Sequence, residues 1–278
     1  MKKTFKNLVA GASAVTLVAA LGLASCGGGN AASSEDKTIT VAASPTPHAQ
    51  ILNEAVAPVL EKDGWTLEVK EFNDYVQPNT VVDEKEIDAN YFQHITYLDQ
   101  FCEENGTNLV SAGAVHYEPF AIYAGKVSSI DDLKKGDLVA VPNDTTNEAR
   151  ALLLLEQAGL IKLKEGAGLT ATPKDIAENP KELKFKELEA AQLPKSLEDV
   201  TVACINANYA LEAGLNAQKD GLVVEASDGA AAVAYANIIA VHADNENSEK
   251  TKALVKACGS QEVKDYIAKT FDGAVVAL

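Results

Sequence analysis

"DLVAVPNDTTNEARALLLLEQAGL", residues 137–160, reads as an apolar strand, a polar turn and a helix that Gly159 ends. Thr145 and Glu148 have the S/T-x-x-E spacing of a capping box, which predicts a helix beginning at Thr145 or Thr146. A strand running straight into a helix is the repeating unit of an α/β protein. Arg150 then falls near the start of that helix, where the macrodipole and the free N–H groups favour negative charge. Spacing alone allows a surface position or an internal ion pair as readily as a ligand carboxylate.

The same alternation extends in both directions. Upstream, "KTITVAAS" (37–44) predicts a strand, "HAQILNEAVAPVLEKDG" (48–64) an amphipathic helix and "WTLEVKEF" (65–72) a strand. A helix follows from about His94 to Glu104, then strands at "NLVSAGAV" and "EPFAIYAG". Downstream, residues 160–195 form a run of short elements, with "LKFKELEA" the best strand. "VTVACIN" and "ANYALEAG" give a strand and a helix, "YANIIAVHA" a strand, and two helices close the chain at about 247–258 and 260–270. This pattern predicts an α/β protein with mostly parallel sheets. No internal linker interrupts it, so we expect two lobes joined by strands that cross between them.

The first residues, "MKKTFKNLVAGASAVTLVAALGLASC", combine Lys2, Lys3 and Lys6 with an apolar stretch from Leu8 to Ala24 and small residues before Cys26. That order predicts a secretory signal over 1–25, not a membrane span. Leu23-Ala24-Ser25-Cys26 resembles the lipobox of bacterial lipoproteins, which implies cleavage before Cys26 and a diacylglycerol on its sulfur; an ordinary signal that ends in a Cys is the alternative. Residues 26–36 then form a lipidated flexible tether, rich in Gly, Ser and Asn. The chain carries 24 basic and 40 acidic residues; losing three lysines and no acid leaves 21 against 40, a formal charge of -19. Such a charge suits neither nucleic acid nor an anionic bilayer surface. Cys102, Cys204 and Cys258 remain, with no C-x-x-C spacing, so neither a disulfide framework nor a zinc site is predicted. Cys204 reads as core, although one bridge between two of the three stays open.

Nothing in the chain matches a P-loop, a G-x-G-x-x-G turn or a G-x-S-x-G elbow. His48, His94, His116 and His242 form no H-x-x-H or H-E-x-x-H pattern, so no metal, cofactor or catalytic group is expected. Polar and aromatic residues instead gather at strand ends, where open α/β sheets bind ligands. They are Arg150, Tyr75 in "FNDYVQPN", Tyr91, Phe92, His94 and Tyr97 in "DANYFQHITYLDQ", Asn206 and Asn208 after "VTVACI", and Asn237 before "IIAV". An arginine fork suits a carboxylate, amide oxygens an ammonium and aromatic walls an apolar side chain. These are the parts of a site for an apolar amino acid. Core packing explains the aromatics equally, helix capping explains His94, and turns or caps explain Asn206 and Asn208.

"FNDYVQPN", "DANYFQHITYLDQ", "VPNDTTNEARALLLLEQAGLIKL", "ENPKELKF", "ELEAAQLPKSLEDV" and "INANYA" together resemble, in order and spacing, the NlpA/MetQ family of lipid-anchored, methionine-binding proteins of ABC importers. The likeness runs from about Lys37 to the C-terminus. It implies a periplasmic-binding-protein-like fold (type II), with two α/β lobes and a ligand cleft between them. Lobe one is expected at 37–121 plus 238–278 and lobe two at 122–237. By the resemblance, Arg150 binds the methionine carboxylate, Asn206 and Asn237 hold its amino and carboxylate groups, and Tyr75, Phe92, His94 and Tyr97 form the wall around the thioether. Sulfur against aromatic rings favours an unbranched thioether there. The resemblance also implies a monomer, not an enzyme, tethered to the cell membrane on its extracytoplasmic side and partnered by permease and ATPase subunits. Thr145, Ala149 and Glu118 depart from family segments that carry Pro or Ala, Gly and an aromatic at these places. D-methionine, a methionine peptide or another apolar amino acid therefore stay open as ligands. An adhesin that keeps the fold and an enzyme acting on amino acids are the rival functions.

Overall fold

A computed structural model describes residues 36–226 and 233–278. The expected signal, most of the tether and Cys26, the expected lipid attachment site, lie outside the described residues. Among the described residues no helix is long and apolar enough to cross a membrane.

Two mixed sheets organise residues 37–278. The first holds β1 (Thr38–Ala43), β2 (Thr66–Glu71), β3 (Ala89–His94), β4 (Leu109–Tyr117), β12 (Ala236–His242) and β13 (Val276–Ala277), in the order β13-β4-β12-β3-β1-β2. The second holds β5 (Ala121–Ala124), β6 (Leu138–Pro142), β9 (Lys184–Leu188), β10 (Val202–Ile205) and β11 (Gly221–Val224), in the order β11-β5-β10-β6-β9. A separate pair joins β7 (Lys162–Leu163) to β8 (Ile176–Glu178). The chain leaves the first sheet through residues 118–120 and returns along β12, so the two sheets are linked by crossing connections, as the unbroken alternation predicts.

The expectation of mostly parallel sheets is corrected. β1 pairs parallel with β2 and β3, and β6 pairs parallel with β9 and β10, as βα units require. The strands at the crossings run the other way: β12 is antiparallel to β3 and β4, and β5 is antiparallel to β10 and β11. β5 follows β4 through residues 118–120 alone, so no helical crossover restores its direction on entering the second sheet.

Three further elements escape the periodicity reading. α2 (Gln77–Asp83) lies in a segment read as merely polar, and β11 was not expected. β3 is buried along its whole length, so it does not alternate. Its Asn90 and Gln93 are satisfied by Asn79 of α2: Asn90 Nδ2 donates to Asn79 Oδ1 at 2.9 Å, and Asn79 Nδ2 donates to Gln93 Oε1 at 3.0 Å. The predicted 48–64 helix starts earlier, with wide turns at Pro45–Ala49 and Leu52–Val56 leading into α1 (Ala57–Lys62). The final helices, Glu249–Cys258 and Gln261–Thr270, fall where expected, each capped by a serine hydroxyl, Ser248 and Ser260.

Each sheet has its own core. Ile39, Val41, Ile51, Leu52, Val56, Tyr91, Ile239, Val241, Leu254 and Ile267 pack on the first. In β10, Val202 and Cys204 face one cluster with Leu152 and Leu155, while Ala203 and Ile205 face another with Tyr123 and Leu193. Cys204 is thus core, and Cys102, Cys204 and Cys258 are free thiols.

Candidate functional site: a buried cavity where the sheets meet

Three helices begin on the wall of one cavity. α3 (Ile95–Asn105) follows β3, α4 (Thr145–Gln157) follows β6, and α5 (Ala207–Glu212) follows β10. The space they enclose, counted together with its open mouth, is about 350 Å³. All seven expected ligand residues line it: Tyr75, Phe92, His94, Tyr97, Arg150, Asn206 and Asn237. Gln93, Glu118, Asn147, Ala207 and Asn208 complete the lining.

One wall is aromatic. Tyr75 lies 5.8 Å from Phe92, 5.7 Å from Tyr97 and 5.0 Å from Tyr209, ring centre to ring centre. Tyr75 Oη donates to Asn208 Oδ1 at 2.6 Å, and Tyr97 Oη donates to the Tyr75 carbonyl at 3.0 Å, so the hydroxyls are satisfied while the ring bodies remain apolar surface. Tyr91 takes no part; it is core, with its hydroxyl on His116.

His94 caps α3. Its Nδ1 accepts from the Tyr97 backbone N–H at 3.0 Å, which fixes the proton on Nε2, and Nε2 faces Asn147 Oδ1 at 3.2 Å. Burial first, then the Arg150 charge, pushes the His94 pKa down to about 3. His94 is therefore neutral with both nitrogens occupied.

The opposite wall is polar. α4 begins at Thr145 as its sequence predicts, but the cap is Asp144, whose Oδ1 accepts from the Asn147 N–H at 3.0 Å. The Thr145–Glu148 capping box does not form: Thr145 is already helical, and its hydroxyl donates to Glu104 of α3 at 2.8 Å. Asn147 becomes a hub, donating to Asp144 at 2.8 Å and accepting from Asn206 Nδ2 at 2.7 Å.

Arg150, in the second turn, is 3 % exposed. Its Nε and Nη2 donate to Glu225 at 2.9 and 2.5 Å, and Nη2 also donates to the Glu118 carbonyl at 2.9 Å. The guanidinium lies over the Tyr235 ring at 4.0 Å. The cation at the wrong end of its helix thus has an internal carboxylate, and Glu225 keeps the guanidinium charged against the cost of burial. Two polar atoms of the lining, Asn206 Oδ1 and Asn208 Nδ2, are buried without a partner. An orphan acceptor beside an orphan donor is what a small zwitterion satisfies.

His48, His116 and Glu118 bring Nε2, Nε2 and Oε1 within 4.8 Å of one another, a set that spacing along the chain could not join. Gln93, Glu118, Asn147 and Ala207 are the lining residues that the sequence reading did not assign. Glu118 registered only as a departure in "HYEPF", and Asn147 was hidden by the capping box read around it.

The sequence pattern of the NlpA lipoprotein family matches residues 39–278. The methionine-binding lipoprotein MetQ of Bacillus subtilis (strain 168) is 44 % identical over 280 residues, covering 99 % of this chain and 98 % of the relative. A solved lipoprotein from Ruminococcus gnavus is 57 % identical with a TM-score of 0.86, covering 87 % of this chain and 99 % of its own. A nutrient binding protein from Burkholderia cenocepacia, solved bound to methionine, is 48 % identical with a TM-score of 0.81, covering 86 % and 99 %. The two-lobe α/β architecture of these binding proteins is the architecture of this chain.

Proposed function

The chain belongs to the NlpA lipoprotein family, and from that premise we propose that it is the lipid-anchored substrate-binding protein of an ABC importer, taking up methionine in the cavity and delivering it to a permease and its ATPase. The observation that carries this reading is the two-sided lining: a buried guanidinium and unpartnered amide atoms on one wall, and satisfied aromatic rings on the other. The names of the relatives, methionine-binding in Bacillus subtilis and methionine-bound in Burkholderia cenocepacia, support the choice of ligand.

Arg150 and the amides of Asn206 and Asn237 take the backbone groups of the ligand, and Tyr75, Phe92, His94 and Tyr97 surround its thioether. Thioether–ring contacts contribute roughly 0.3–1.5 kcal/mol each. Tyr75 follows β2 and Phe92 lies in β3 of the first sheet, while Arg150 and Asn206 follow β6 and β10 of the second, so ligand bridges the two and stabilises the closed state. We assign lobe one to 37–121 plus 238–278 and lobe two to 122–237. Cys26 carries the lipid and holds the monomeric domain outside the cell membrane.

Denaturing the purified protein and identifying the released small molecule by chiral mass spectrometry tests the reading. L-methionine is the expected product. D-methionine, a methionine peptide or another apolar amino acid would replace the ligand while keeping the transport role. Release of no amino acid, together with no heat on titrating methionine, would remove it.

A further inference from the structure

Glu118 stands on the short connection between β4 and β5, lines the cavity and is 6 % exposed. His116 Nε2 donates to its Oε1 at 2.7 Å, His48 Nε2 lies 3.4 Å from the same oxygen, and a backbone N–H of Asn208 also reaches the carboxylate. Neither imidazole brings a charge. Ser44 Oγ sits 2.6 Å from His48 Nδ1, and the Tyr91 hydroxyl meets His116 Nδ1. Each hydroxyl can donate to Nδ1, which leaves the single ring proton on Nε2: His48 directs it at Asn237 Oδ1, 2.9 Å away, and His116 at Glu118. Burial holds His48 near 4 and His116 near 3, so both are neutral at physiological pH.

The charges on the cavity wall therefore do not balance. Arg150 is engaged by Glu225 through two nitrogens and reaches Glu118 only at its backbone carbonyl. Glu118 is left as a buried carboxylate with no cation hydrogen-bonded to it; burial pushes its pKa up, and the Arg150 charge nearby offsets only part of that. A buried anion in that position either takes a proton or receives a cation. Asn206 Oδ1, the unpartnered acceptor of the same lining, adds a second group that asks for a donor.

We propose that Glu118 is the counter-ion of the ligand's α-ammonium, with Asn206 Oδ1 as a further acceptor, and that neutral His48 and His116 are positioning residues that hold the carboxylate toward the cavity. The inference rests on the reading of this cavity as an amino-acid site and adds a substrate class to it: molecules with a free primary amine. N-acylated and desamino analogues are excluded, because they leave Glu118 buried without a cation.

Calorimetry with L-methionine and with 4-(methylthio)butanoate, which is methionine without its amine, tests the inference on the intact protein. The wild type is expected to prefer methionine by about a hundredfold or more, the scale for losing one partner of a buried charged pair. In Glu118→Gln, which keeps the size of the side chain and an oxygen for His116, methionine weakens while the desamino acid does not, so the preference falls about tenfold or more. Equal affinity of the wild type for both ligands overturns the inference without reference to any variant. An equal loss of both ligands in Glu118→Gln also overturns it, since that is the signature of a merely structural role. If the wild type binds neither, the methionine reading has failed; the Glu118 assignment is then decided by the molecule released on denaturation, and a ligand without an amine sinks it.

Discussion

The aromatic wall and the polar wall of the cavity are built by different means. Tyr75, Phe92 and Tyr97 come from one stretch of about two dozen residues around β3, and every hydroxyl among them has a partner. Arg150, Asn206, Glu118 and Asn237 come from four separate elements, and their bonds run between elements: Arg150 to Glu225, Asn206 to Asn147, and His48 to Asn237. The rings of the aromatic wall thus come from one local stretch, with Tyr75 alone reaching across to Asn208, whereas the polar wall exists only when both sheets are in place. Replacing a residue of the first should act mainly through packing, and of the second through charge and the ligand.

The largest effect is expected at Arg150. Arg150→Ala strands Glu225 without its cation, lowering the free energy of unfolding by about 3–5 kcal/mol in denaturant melts. It should also abolish methionine binding in calorimetry; a variant that binds as the wild type does would detach the ligand from the polar wall. Phe92→Ala probes the other wall, where loss of a buried ring costs about 3 kcal/mol of stability. Its binding defect should be smaller than that of Arg150→Ala, and the reverse order would break the contrast.

Acid acts on the polar wall through its buried imidazoles. The folded pKa of His116, near 3, lies below its ordinary 6.5, so the stability carried by the neutral ring is full above pH 6.5 and is lost as pH falls toward 3. His116→Asn removes that term. Between pH 6 and 4 the variant should lose stability less steeply than the wild type, by up to about 1.4 kcal/mol per pH unit. Identical slopes would mean that His116 is charged in the folded state. The smallest effects separate two neighbours: Asp144→Ala removes the true cap of α4 and costs about 1 kcal/mol, while Thr145→Ala costs less than about 0.5 kcal/mol.

The contrast between the walls also governs what was legible beforehand. The α/β class and the strand entering α4 were readable because apolar periodicity is a local property; the seven residues later found around the cavity stood among the strand-end candidates, and the family resemblance singled them out. β3 was not, since a central strand with both faces buried loses its alternation and its Asn90 and Gln93 imitate a polar loop. The cap of α4 was misplaced by one residue because Asp144 and Thr145 are both good caps, and only the backbone geometry chooses between them.

By itself the sequence determined the class of fold, the kinship and the chemistry offered at the strand ends: a guanidinium, amides and rings. Tertiary structure decided which of these groups are already satisfied. It gave Arg150 the Glu225 carboxylate from 75 residues away and joined His48, His116 and Glu118. It left Asn206 Oδ1 and Asn208 Nδ2 with no bond in the protein. The physical reason is that periodicity and capping act over a few residues, whereas a buried charge is balanced by whatever the fold brings within a few ångströms of it.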